Sequence, residues 1–237
     1  MRVEEITKIE AESLVAWWRE AGVDSLVGDE PFDWLAREAP VVARTATPAP
    51  PPPAALPATL DAFQAWLAAG ADLPDTRWGP RRIAPAGDPA SGLMVVVDQP
   101  EPGDADQLFA GDVGRLFDRM LAAVGRDRGS VYLASLAAVR APGGLVDSES
   151  GARLAEIMRH HIGLAAPRRV LLMGNAASRA LCGMDLRDAR GAIRQINTPA
   201  GKVEAVATYA PRLLFQQPAA KAEAWKDLRL FVGDFGK

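Results

Sequence analysis

The sequence predicts an α/β chain: a three-layer α/β/α sandwich around a four-stranded parallel sheet, preceded by a helical arm on a proline-rich linker. Three observations lead there. Short apolar runs, such as Leu93–Val97 and Arg169-Val-Leu-Leu-Met-Gly174, mark strands buried on both faces. They alternate with stretches of helical period, which places helices over both faces of a parallel sheet through right-handed crossovers. A dense proline run, Pro48 and Pro50–Pro53, separates all of this from an amino-terminal, Trp-bearing segment.

Residues 1–39 form the expected arm. Thr7-Lys8-Ile9-Glu10 fits a capping box, and Gly22 suits the left-handed residue that ends a helix. The helix between them carries an apolar stripe of Ile9, Leu14, Val15, Trp17, Trp18 and Ala21. A second apolar patch follows, with Val23, Leu26, Val27, Phe32, Trp34 and Leu35. So short a segment cannot bury a core alone. It either packs back on the main domain or serves a partner, and the stretch that follows tilts the reading toward the partner. Residues 40–57 favour polyproline II, which rises ~3.1 Å per residue and acts as a semi-rigid spacer.

The main domain is expected over residues 58–237. Leu60–Ala69 reads as a short amphipathic helix ended by Gly70. A Pro-, Gly- and Arg-rich loop then leads to the Leu93–Val97 strand, which ends at Asp98. Pro100, Pro102 and Gly103 stop strand and helix alike. From Val113 the apolar residues return at helical spacing: Leu116, Phe117, Met120, Leu121, Val124. Val131–Leu136 is the second strand, Ser148–His161 a helix, and Arg169–Gly174 the third strand. Asn175–Leu181 is helical, a polar loop holds Arg187, Arg190 and Arg194, and Lys202–Tyr209 is the fourth strand. The last helix is Ala219–Phe231. Ligands of open α/β sheets sit at the carboxyl ends of such strands.

Composition narrows the chemistry. The chain has 237 residues and a net charge of −3, so no overall basicity advertises nucleic acid. Cys182 is the only cysteine, which excludes an internal disulfide, a cysteine-rich zinc site and an iron–sulfur cluster held by the chain's own thiolates. The charged start (Arg2, Glu4, Glu5) holds no signal-peptide core, and no apolar run is long enough to span a bilayer. A cytoplasmic protein is expected. His160 and His161 are neighbours on a helix, do not share a face, and read as surface and rim histidines rather than metal ligands. Asp98 at a strand tip could activate a water, although carboxylates there are often only turn residues. No Gly-rich phosphate loop, nucleophile elbow or zincin motif appears. No metal and no cofactor is expected.

The order of the pieces from Thr59 to Phe231 resembles the uracil-DNA glycosylase superfamily, above all its iron–sulfur family. In that family a first strand leads into Gly-Glu-Ala-Pro-Gly, where this chain has Asp98-Gln99-Pro100-Glu101-Pro102-Gly103. Its Phe-Val-Gly-x-Ala-Gly block is similar to Phe109-Ala-Gly111-Asp-Val-Gly114. Its Tyr-Ile-Thr-Asn strand end is similar to Tyr132-Leu-Ala-Ser135, and its Thr-Tyr-His-Pro-Ser loop to Thr208-Tyr209-Ala210-Pro211-Arg212. The resemblance implies that fold, and a base pocket at Asp98, Gln99, Phe109, Ser135 and Ala210. The departures fall on the chemistry. Uracil excision flips the base out, reads its edge and stabilises the departing anion. Ala210 stands where the family has His, Ser135 where it has the edge-reading Asn, and Asp98-Gln99 where it has Gly-Glu. The four cluster cysteines are absent, the third falling at Val139. Phe109, the stacking position, is kept.

A second resemblance is to the psi subunits of the bacterial DNA polymerase III clamp loader, catalytically empty domains of this fold with a Trp-rich amino-terminal arm. Trp17-Trp18-Arg-Glu-Ala-Gly22-Val23 and Trp34 are similar to that arm, and Val97-Asp98-Gln99-Pro100 to the inert strand tip. The resemblance implies an adaptor in DNA replication or repair. It would bind clamp-loader ATPases through Leu14, Trp17, Trp18 and Trp34, with a chi-like subunit as a further partner. The alternative is an active uracil-DNA glycosylase working through Asp98, with Ser135 in support. Arg212 and Leu213 occupy the family's DNA-facing loop. Leu213 would be either a wedge in the base stack or, the preferred reading, a helix-entry staple, so DNA binding is expected to be weak and salt-sensitive.

Overall fold

A computed structural model describes residues 8–21 and 55–233. Thr7, Trp34, the second apolar patch and the proline run lie outside the described residues. The chain divides into two units, residues 1–53 and 54–237. In the first, α1 (Lys8–Glu20) carries Trp17 and Trp18, whose rings meet edge to face at 6.3 Å.

The second unit is a mixed six-stranded sheet with helices on both sides. In chain order it comprises α2 (Leu60–Ala69), β1 (Ala86–Gly87), β2 (Leu93–Val97), α3 (Gly111–Ala123), β3 (Tyr132–Ser135), α4 (Ser148–Ala165), β4 (Arg169–Met173) and α5 (Asn175–Cys182). Then come α6 (Leu186–Ala189), β5 (Ile193–Thr198), β6 (Gly201–Thr208), α7 (Pro211–Gln216) and α8 (Lys221–Val232). The strand order is β1-β3-β2-β4-β6-β5. The four predicted strands form the parallel centre, with Val96 opposite both Ala134 and Leu172, and Leu172 opposite Ala207. The four-stranded expectation is corrected at the edges, where β1 and β5 add antiparallel strands. Both were hidden for a physical reason: β1 is two exposed residues, and β5 buries only Ile196 fully.

Alternation along the strands builds two cores. Val95, Leu133, Leu171 and Val206 meet Phe117, Leu121, Leu214, Leu228 and Phe231 of α3, α7 and α8. Met94, Val96, Leu172 and Ala207 meet Leu154, Met158 and Ile162 of α4, with Leu181 of α5 and Leu186 of α6. The helix that follows β2 therefore covers one face and the helix that follows β4 covers the other. The strand order reverses at the β2–β4 boundary, so a crevice opens outside their carboxyl ends, the switch point at which α/β sheets hold ligands. Among the described residues, no helix is long and apolar enough to cross a membrane.

Candidate functional site

At that crevice Asp98 leaves β2 and turns to the neighbouring strand's exit. Its Oδ1 accepts the Ala177 N–H at 2.7 Å, in the first turn of α5. Burial pushes its carboxyl above the usual range, opposed by the N–H groups of Ala177, Ala176 and Asn175; Glu101 adds to the rise. Gly174 makes this approach feasible. A Cβ there would sit 2.3 Å from Asp98 Oδ2, on a backbone at φ +127°.

Gln99 is engaged at both ends of its amide. Its Oε1 accepts the Ala141 N–H at 3.0 Å, and its Nε2 donates to the Gly144 carbonyl at 2.9 Å. Arg140 donates from the same loop to the Pro100 carbonyl at 2.8 Å. The 100–110 loop is organised by buried Asp104, which accepts N–H bonds from Glu101 (2.8 Å), Phe109 (3.0 Å) and Ala110 (2.7 Å). These hold Phe109 at φ +59°, a conformation few bulky residues adopt. Arg128 donates to the Leu108 and Phe109 carbonyls at 2.7 and 2.8 Å from the far side. Gly114 leaves the room, since a Cβ there would lie 1.9 Å from the Phe109 oxygen.

The resulting cleft, of about 230 Å³, brings together Asp98, Gln99, Phe109, Ala210, Arg212 and Leu213. Phe109 serves it and the core at once: it is 3% exposed and its ring lies 4.7 Å from that of Phe117. Arg212 is ion-paired with Glu101 across the mouth. Leu213 is half-buried, in the first turn of α7, and Ala210 starts that helix with a methyl group only.

Ser135 is placed elsewhere. It lines a separate cavity of about 120 Å³ with Asp75, Arg82, Leu136 and His161. Asp75, 1% exposed, pairs with Arg82 at 2.9 Å and accepts the N–H groups of Ala138 (2.8 Å) and Val139 (3.1 Å). The iron–sulfur cluster of the resembling family does not fit here. Val139, at the third cysteine's position, is buried with its N–H on Asp75, and the lone Cys182 cannot hold a cluster. Among the described residues, no group of three or more His, Cys, Asp or Glu could hold a metal.

The rim reading of the histidines is corrected for His161. It is 1% exposed, with Nε2 2.8 Å from the Tyr132 hydroxyl, because Phe63 of α2 covers that turn of α4 with rings 4.9 Å apart. Burial, helped by the neighbouring His160, lowers its pKa to about 3. The neutral imidazole is therefore a core hydrogen-bonding group. On α1, Leu14, Trp17 and Trp18 are exposed; Trp34 lies outside the described residues.

Asp75, Asp104, Arg128 and Arg140 were not legible as site-building residues. Asp75, Arg128 and Arg140 act on backbone groups 19 to 64 positions away, and Asp104 on N–H groups of its own loop, and a backbone group carries no residue type to recognise.

The sequence matches the family model described as "Uracil DNA glycosylase superfamily" over residues 84–229. It is also 28% identical, over 151 residues, to a protein of Pyrobaculum aerophilum named "Type-4 uracil-DNA glycosylase", the match covering 60% of this chain and 77% of that one.

Proposed function

The chain belongs to the uracil-DNA glycosylase superfamily, and from that premise we propose that it keeps the family frame without the family reaction. It would act as a non-enzymatic adaptor in DNA replication or repair, a psi-like subunit of the clamp loader. One observation carries the reading: the cleft's best-placed polar groups are engaged by the protein itself. Asp98 is held on the first turn of α5, Gln99 on the 141–144 loop, and Arg212 on Glu101. Ala210 supplies no side-chain donor for a leaving uracil anion, and Ser135 faces a different cavity. Loss of one preorganised donor costs ~10²–10³ in rate, so two such losses leave little catalysis.

The exposed Trp pair on α1 supports the adaptor half of the proposal. A tethered amphipathic helix can fill a groove on one protein while the domain engages another. Clamp-loader ATPase subunits would take the arm, and a chi-like subunit would take the domain. A second reading, an active glycosylase using Asp98 as the water-activating base, is favoured by the place of Asp98 on the cleft beside Phe109 and by its raised pKa.

The test has two arms. Full-length protein is incubated with uracil-containing duplex DNA, and free uracil is measured; none is expected. Release that disappears in Asp98→Asn would establish the second reading instead. In parallel, the full chain and a version lacking residues 1–57 are compared in pull-downs with clamp-loader ATPase subunits. Only the full chain should recover them.

A further inference from the structure

Helix α8 sorts its charges. Its carboxylates turn to one side, where Glu223 and Asp227 meet Arg190 at 2.7 and 2.8 Å and Asp227 also accepts the Thr208 hydroxyl at 3.0 Å. Along its other side, next to α3, runs a hollow floored by Leu116, Met120, Leu214 and Leu228 and walled by Trp225, with Arg119 and Lys221 on its rim. Trp225 is 41% exposed, a large apolar surface to leave in water. A second hollow shares Ala123 and Trp225 with the first and adds Lys226 and Arg229. Among the described residues, no carboxylate lines either hollow, although the chain as a whole carries a net charge of −3. Among the described residues, Arg119, Lys221 and Arg229 make no ion pair.

We infer that this groove between α3 and α8 docks an acidic peptide segment of a partner protein, one that carries a large apolar side chain onto Trp225. The apolar floor supplies the anchor pocket, and the uniformly cationic rim supplies charge complementarity and register. A second copy fits poorly, because a two-fold contact through this face would set cations against cations. Nucleic acid fits poorly too, since phosphates would lie over leucine and methionine. No residue of the groove lines the strand-tip cleft, so the inference goes beyond the adaptor reading and stands whether or not the cleft is inert.

A random peptide library selected on the full chain provides the probe, with affinities of the enriched peptides read by fluorescence anisotropy. Acidic peptides bearing Phe, Trp or Leu are expected. Each should lose at least about tenfold in affinity on Trp225→Ala, as anchor truncations do. They should weaken again in Arg119→Glu with Lys226→Glu, and as salt rises. The charge-reversed variant keeps the apolar floor, so it separates lost docking from lost folding; thermal unfolding of both variants should stay close to that of the parent. Enrichment of neutral or basic peptides, or affinities indifferent to both variants, would overturn the inference. So would single-stranded DNA occupying the groove, or a dimer dispersed by Trp225→Arg. Uracil release by the parent protein would sink the adaptor reading and leave this one standing.

Discussion

The Asp98 carboxylate and the Ala177 N–H meet at 2.7 Å across the tips of two adjacent parallel strands. The bond spans the crevice where a ligand would enter. It converts a strand-tip acid from a free base into a cap on the next helix, and Gly174 leaves it the room.

Gly174→Ala should therefore be costly at a position that looks innocuous. The new methyl would overlap Asp98 Oδ2 at 2.3 Å, on a backbone at φ +127°. We expect a loss of roughly 2 kcal/mol or more, from overpacking and strain together. Urea titration measures it, and Gly174→Ala with Asp98→Ala should recover part of the loss.

Asp75→Ala should destabilise more, by about 3–5 kcal/mol, because it strands a nearly buried partner. Arg82, with its side chain 11% exposed, would lose its carboxylate, and the Ala138 and Val139 N–H groups would lose their acceptor. The denaturation midpoint reports this. A loss below about 1 kcal/mol would mean that water replaces the carboxylate.

Acid should weaken the fold through His161. Its pKa falls from 6.5 to about 3 in the folded chain, so the unfolded chain binds more protons between those values. The stability from keeping it neutral is fully present above pH 6.5 and is lost as pH falls toward 3, at up to about 1.4 kcal/mol per pH unit. Asp98 acts with the opposite sign. Its carboxyl is raised above 3.8, so protonation there favours the folded state as pH falls. Hence His161→Gln should flatten the acid side of a stability–pH curve, and Asp98→Asn should steepen it.

Trp17→Ala with Trp18→Ala tests the arm. The adaptor reading expects lost binding to clamp-loader ATPase subunits with thermal unfolding nearly unchanged. An arm that packs in a core would instead cost several kcal/mol, as large-to-small core changes do. A large fall in melting temperature, with no partner recovered by the parent chain, would refute the adaptor reading.

The residues that betrayed the fold are those whose burial is a property of the local run. Leu93–Val97 is apolar throughout because both of its faces are covered, and the β3, β4 and β6 strands read similarly. Ile193–Thr198 did not show itself, since an edge strand with one fully buried side chain looks polar. His161 looked like a surface residue because its cover, Phe63, lies nearly a hundred positions earlier. At the site, Asp98, Gln99, Phe109 and Ala210 could be grouped by resemblance, and they do line one cleft. What could not be read was which hydrogen bonds they make. The partners are backbone groups of Ala141, Gly144 and Ala177, and a backbone donor carries no residue type to recognise.

The sheet order has a consequence for how fast the chain reaches this state. Among the described strands, only β5 and β6 are joined by a tight turn, Pro199–Ala200, with Thr198 opposite Gly201. Every pairing in the parallel centre must wait for a helix-bearing segment to close. β2, at the middle, needs β3 on one side and β4 on the other before it is covered. Non-local closure of that kind slows folding relative to a helical bundle built from local contacts. Until β4 arrives, the bare edge of β2 is open to pairing with another nascent chain.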